Sequence, residues 1–175
     1  MRVDLTPSRS WRQRLLAAFV LAAQPGALTA LVSQSQNLLG PLPRDVPLYR
    51  LNDGWVMPAL GLGVYRVPPG EVAYQTVKSA LELGYRMVDT AAFYGNEADV
   101  GRACRDSGIP RDELFITTKV WDFQHGFHKA MASGRQSNKL LGLGYIDLIL
   151  IHSPGMLVPG AGKIVETYDA LLQLQ

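Results

Sequence analysis

Four times between Ala59 and Gln175 a short, nearly uninterrupted apolar run gives way to a segment of helical period. The runs are Ala59–Tyr65, Arg86–Ala91, Leu114–Val120 and Tyr145–His152. Strands with so little polar alternation must be covered on both faces, and parallel neighbours need a crossover between them. The pattern therefore predicts a parallel sheet overlaid by helices. In the first helical segment Val72, Val77, Ala80, Leu81 and Leu83 recur at the right spacing before a Gly84 stop. Asn96–Ser107 opens on an Asn cap with early acids Glu97 and Asp99 and closes at Gly108. Phe127–Leu141 is a weaker helix, because Gly134 and Asn138 lower its propensity. Ile164–Leu174 sets Val165, Tyr168, Leu171 and Leu172 on one face. Ahead of the first unit, Asn52-Asp53-Gly54 signals a hairpin turn between two short extended pieces.

Length limits how far the pattern can run. The 175 residues fall short of the roughly 200 to 250 that a complete eight-unit α/β barrel needs. Charge separates a leader from the rest: residues 1–40 hold Arg2, Arg9, Arg12 and Arg14 against Asp4, a local +3 within a net charge of +2. The arginines run into Leu15–Ala23, an apolar stretch too short for the roughly 20 residues of a membrane span. The leader reads as a secretory signal, as an organelle transit peptide, or as a segment without a role. Pro41, Pro43 and Pro47 mark a linker, so residues 1–47 are expected to be disordered and the fold to begin at Leu48. A net charge this small gives no reason to propose nucleic acid as a partner. Cys104 is the single cysteine, which excludes an intramolecular disulfide and a multi-cysteine zinc site. His125 and His128 lack a third ligand at metal spacing and read as solvated loop residues, so no metal is expected.

Three ionisable residues, Asp89, Lys119 and His152, sit at or near the C-terminal ends of separate predicted strands. In parallel α/β folds that edge is where ligands bind and catalytic groups project. Each has a bland alternative: a turn-capping Asp, a solvated Lys, a packing His. Recurrence at one edge of successive strands favours use, because a charge there is costly unless paired or employed.

The chain also resembles a known family. Leu51-Asn52-Asp53-Gly54 with Met57-Pro58, Leu60-Gly61-Leu62-Gly63, Gly84-Tyr85-Arg86, Val88-Asp89-Thr90-Ala91 and Tyr94-Gly95-Asn96-Glu97 are followed by Thr118-Lys119-Val120-Trp121, Leu143–Leu148 and Leu150-Ile151-His152-Ser153-Pro154. In this order they look like the aldo-keto reductases from about Leu48 to Gln175. The resemblance implies a (β/α)8 TIM-barrel type α/β fold, truncated here to about its first four βα units and preceded by an N-terminal β-hairpin, over residues 48–175. It implies NADP(H)-dependent reduction of a small carbonyl substrate, with Asp89, Tyr94, Lys119 and His152 as the catalytic tetrad. Tyr94 would be the general acid, Lys119 would favour its ionised form, Asp89 would hold Lys119, and His152 would orient the carbonyl. Gly63, Val64 and Asp89 would contribute to the cofactor site. Tyr65, Trp121 and His152 would line the substrate pocket, with ordinary core packing the alternative for Tyr65 and Trp121. A cytoplasmic location is the family expectation.

The sequence departs from the family pattern at Ser153, where Trp is frequent, at Gly144, where Asp is common, and at Asn138, where the third helix usually has an apolar residue. These changes imply a looser third helix and an altered wall beside His152. Family residues that grip the cofactor's phosphate end belong to later strands, and no Gly-x-Gly-x-x-Gly turn takes their place. Four strands would also leave open edges and an exposed apolar face, an aggregation liability unless the chain self-associates through those edges or binds a partner. Two functional readings follow: a piece of an NADP-dependent carbonyl reductase, or a non-catalytic truncated half-barrel that is an interaction partner or an unstable product.

Overall fold

The computed structural model describes residues 46–154 and 163–175. The leader assigned to residues 1–47 lies outside them except for its last two positions. The described chain runs β1 (Leu48–Arg50), β2 (Val56–Pro58), β3 (Leu62–Gly63), α1 (Glu71–Glu82), β4 (Met87–Asp89), α2 (Glu97–Asp106), β5 (Phe115–Val120), α3 (Phe127–Leu141), β6 (Leu148–Ile151) and α4 (Ile164–Gln173). Short 3-10 turns lie at Ala92–Tyr94, Arg111–Glu113 and Asp122–Gln124. Strands β1 and β2 form the antiparallel hairpin, and β3-β4-β5-β6 form one parallel sheet in chain order. The arrangement is four successive βα units of a (β/α)8-type α/β fold behind a hairpin. No helix among the described residues is long and apolar enough to cross a membrane.

Strand β5 shows how side-chain alternation builds the layers. Ile116 joins a core with Val77 and Leu81 of α1, Val88 of β4 and Val100, Ala103 and Cys104 of α2. Four residues on, Val120 joins a second core with Ala130 of α3 and Ala170 and Leu171 of α4. Lys119, one residue out of phase, points to the opposite face and toward Asp89 of β4. Cys104 is buried in the first core, and loss of solvation pushes its thiol up to about 11, against weaker opposing pulls from Arg111 and Arg105. Iodoacetamide should therefore leave Cys104 unmodified in the native protein at pH 8 and label it fully in urea, as read by mass spectrometry.

Asp147 ties the start of the last strand to its neighbour. Its Oδ2 accepts hydrogen bonds from Arg111 Nη2 and from the Ile116 N–H, both at 2.7 Å. Arg111 also donates to the carbonyls of Leu114 and Tyr145 and stacks 3.7 Å over the Tyr145 ring. Asp147→Ala leaves this guanidinium and an N–H without their shared acceptor. It should cost about 2–3 kcal/mol in urea unfolding.

Several elements differ from their sequence reading. The first strand contracts to Leu62–Gly63, because its flanks turn away: Tyr65 is exposed and Arg66 adopts φ 62°. The last strand is Leu148–Ile151, and Leu150 is exposed rather than covered. On α4 the buried residues are Thr167, Ala170 and Leu171, so Val165, Tyr168 and Leu172 face outward. The apolar count there misled because the small residues Thr167 and Ala170 make the close contact. Asn96 precedes α2 but makes no side-chain cap. Helix α3 is whole despite Gly134, which is a packing position: a Cβ there would lie 2.5 Å from Leu174 Cδ1 and 3.3 Å from Ile149 Cδ1. Asn138 reaches over the helix end, donating to the Gly144 carbonyl at 3.3 Å.

Candidate active site

The residues at the C-terminal ends of β4, β5 and β6 converge. Asp89 ends β4, and Lys119 is the penultimate residue of β5. His152 follows β6 and continues its ladder by donating its N–H to the Val120 carbonyl at 3.0 Å. Tyr94 is brought in by the turn after β4. Its N–H donates to the Ala91 carbonyl at 2.9 Å, and Gly95 closes the turn at φ 70°, a left-handed conformation suited to glycine.

Lys119 organises the centre. Its Nζ donates to Asp89 Oδ1 at 2.5 Å, to the Thr90 carbonyl at 2.9 Å and to Tyr94 Oη at 3.4 Å. The three donors of an ammonium are thereby all directed, which fixes the charge beside the phenol. Both Lys119 and Asp89 are partly buried, so their attraction is less screened than that of a surface pair. The His152 ring stands edge-on to Tyr94, with centroids 5.5 Å apart. Its pKa is lowered, mainly by loss of solvation and next by Lys119, while Asp122 and Asp89 pull the other way. The neutral imidazole therefore predominates at pH 7 and can donate one N–H.

Aromatic rings wall the same spot. Tyr65 is 54% exposed and packs 5.0 Å from the Tyr94 ring. Trp121 stacks on Phe93 at 4.0 Å and lies 4.9 Å from His152. Tyr65 and Trp121 thus sit around the polar centre rather than inside the hydrophobic core. Phe93, beside Tyr94 in the same turn, belongs to this wall and was missed; an aromatic pair in a loop was the available signal. Gly63 is exposed and paired in register with Asp89, and no heavy atom lies within 4 Å of where a Cβ would be. Val64 differs from Gly63: its side chain is fully buried in the core, its N–H donates to the Asp89 carbonyl and its carbonyl accepts from Asn96.

Three polar residues behind the centre were read otherwise or not at all. Asn96, taken for a helix cap, is a buried hub. It accepts from Thr90 Oγ1 at 2.7 Å and donates to the Val64 and Val67 carbonyls, both at 3.1 Å. His125 is buried at the end of the turn Asp122–Gln124, with its N–H donating to the Asp122 carbonyl at 3.2 Å, where its loop position predicts solvent; His128 is exposed in the first turn of α3. Asp122 is 3% exposed and accepts from Ser153 Oγ at 2.5 Å. Sequence gave no sign of that pairing, since 31 residues separate its partners.

Known proteins resemble this chain in sequence and in fold. The sequence model of the Aldo/keto reductase family matches residues 59–175. An aldo-keto reductase of Mycobacterium avium is 49% identical over 128 residues, covering 73% of this chain and 43% of that protein. The crystal structure of an aldo/keto reductase from Brucella melitensis superposes with a TM-score of 0.68 at 43% identity, over 74% of this chain and 49% of the other. The aldo-keto reductase of Bombyx mori in complex with NADP gives a TM-score of 0.64 at 37% identity, over 73% and 46% of the two chains. The chain thus spans somewhat less than half the length of the relatives it matches. It belongs to the aldo/keto reductase family.

Proposed function

We propose that this site serves NADP(H)-dependent reduction of an aldehyde or ketone to the alcohol. The observation that carries the reading is Lys119 Nζ held between the Asp89 carboxylate and the Tyr94 hydroxyl. Tyr94 is the proton donor to the carbonyl oxygen, Lys119 compensates the charge left on the phenol, and Asp89 keeps Lys119 in place. His152 donates its N–H to the same oxygen and steadies the charge that develops there. Tyr65, Phe93 and Trp121 favour a substrate whose carbonyl carries an apolar or aromatic group.

The residues present fit the nicotinamide end of the cofactor. Gly63 leaves open space beside Asp89 where a side chain would stand, so a flat ring can approach the ends of β3 and β4. Val64 would act there through its hold on the strand rather than by side-chain contact. When bound, the cofactor supplies the hydride. Its phosphate variant is proposed from the Bombyx mori relative, whose structure contains NADP.

Titration of the purified chain with NADPH, followed by fluorescence, and turnover on nitrobenzaldehyde test the reading. Binding with turnover that Tyr94→Phe abolishes supports it; a folded chain that neither binds NADPH nor turns over sinks it. A second reading, a non-catalytic unit that pairs with another copy of itself, is favoured by the outward Val165, Tyr168 and Leu172 and the exposed Leu150. Sedimentation velocity showing a dimer without NADPH binding would select it.

A further inference from the structure

The turn after β5 carries a buried carboxylate that the tetrad does not use. Asp122 is almost wholly buried, and one of its oxygens accepts from Ser153 Oγ. Its other oxygen, Oδ2, has no hydrogen-bond partner among the described residues. Ser153 is the residue after His152, and Asp122 is the residue after Trp121, whose ring packs against the imidazole. The link therefore joins the residue after His152 to the residue after Trp121. His152 Nδ1 is likewise buried and without a partner among the described residues, so the hydrogen bonds around the ring do not by themselves fix its placement.

We propose that Asp122 is a positioning residue for His152: through Ser153 it fastens the end of β6 to the turn after β5. The charged and titratable groups around the ring are Lys119 of β5, Asp89 of β4, Tyr94 of the turn after β4 and Asp122 itself. Of these, Asp122 combines a direct tie to the adjoining residue with a favourable charge. An unpaired carboxylate is costly to bury, and a site that needs an oriented hydrogen-bond donor gives it a use. Asp122 touches neither substrate nor cofactor in this role; it acts through His152. Its value to catalysis rests on the carbonyl-reduction reading, whereas its effect on the imidazole does not.

The test is an NMR titration of the imidazole signals in the whole chain. There are three histidines, and His152→Asn assigns the signal. Asp122→Asn keeps an oxygen for Ser153 and removes the charge, so the His152 midpoint should fall. Ser153→Ala should change the His152 chemical shifts, and Ser153→Thr, which keeps the hydroxyl, should restore them. Should Asp122→Asn not fold, the Ser153 pair decides alone. A His152 titration and chemical shifts identical to wild type in the folded variants overturn the proposal. A chain without turnover whose His152 still responds overturns the reductase reading and leaves this inference standing. A chain with turnover whose His152 does not respond does the reverse.

Discussion

Gly101→Ala is expected to destabilise the protein by about 2–4 kcal/mol, although alanine is normally the better helix former by about 1 kcal/mol. A Cβ at this position would lie 1.8 Å from the Leu141 carbonyl oxygen, 2.6 Å from its carbon and 2.8 Å from its Cα. These are backbone atoms at the end of α3, so no rotamer change can make room. Helices α2 and α3 would have to separate, and the bond from Arg105 Nη1 to the same carbonyl, 2.6 Å long, would be disturbed. A thermal midpoint lower by roughly 10 °C is the expected reading. Gly134→Ala is the control: its nearest obstacle is the end of the Leu174 side chain, which can rotate away, so the loss should be smaller. Equal stability of Gly101→Ala and wild type would show that α3 can shift at no cost.

The second large effect concerns chemistry. Tyr94→Phe removes the hydroxyl next to Lys119 and leaves the ring contacts with Tyr65, Phe93 and His152 in place. Under the proposed reading NADPH-dependent reduction should fall by about 10²–10⁴-fold, the usual worth of a positioned proton donor. Binding of NADPH should change little, because the ring stays. The fall should appear in kcat and in kcat/KM alike, since a proton delivered only in the transition state adds nothing to ground-state binding. Loss of less than tenfold would remove Tyr94 from that role and leave His152 as the candidate donor.

What the sequence revealed and what it concealed divide along a physical line. The βα alternation, the hairpin and the bounds of α3 were legible because strand and helix periods are local properties. Asp89, Lys119 and His152 were legible because charge at the ends of apolar runs is unusual. The inward face of α4 was not, because Thr167 and Ala170 pack by being small, and hydrophobicity does not report smallness. Asn96 was misread because a cap and a tertiary hub use the same amide, and only the fold decides which groups lie in reach. The pairing of Asp122 with Ser153 depends on the end of β6 lying against the turn after β5, a long-range fact with no local signature.

Asn96 has a consequence for motion. Its amide joins Thr90 at the end of β4 to the Val64 and Val67 carbonyls after β3, and its own backbone carbonyl begins α2. The end of β4, the loop after β3 and the start of α2 therefore meet at one residue. Opening any one of them leaves a buried donor or acceptor exposed in the others, so these segments should exchange their amide hydrogens as a single cooperative unit rather than fray separately. Tyr94 stands two residues from that side chain, and its place is as rigid as the least stable of the three.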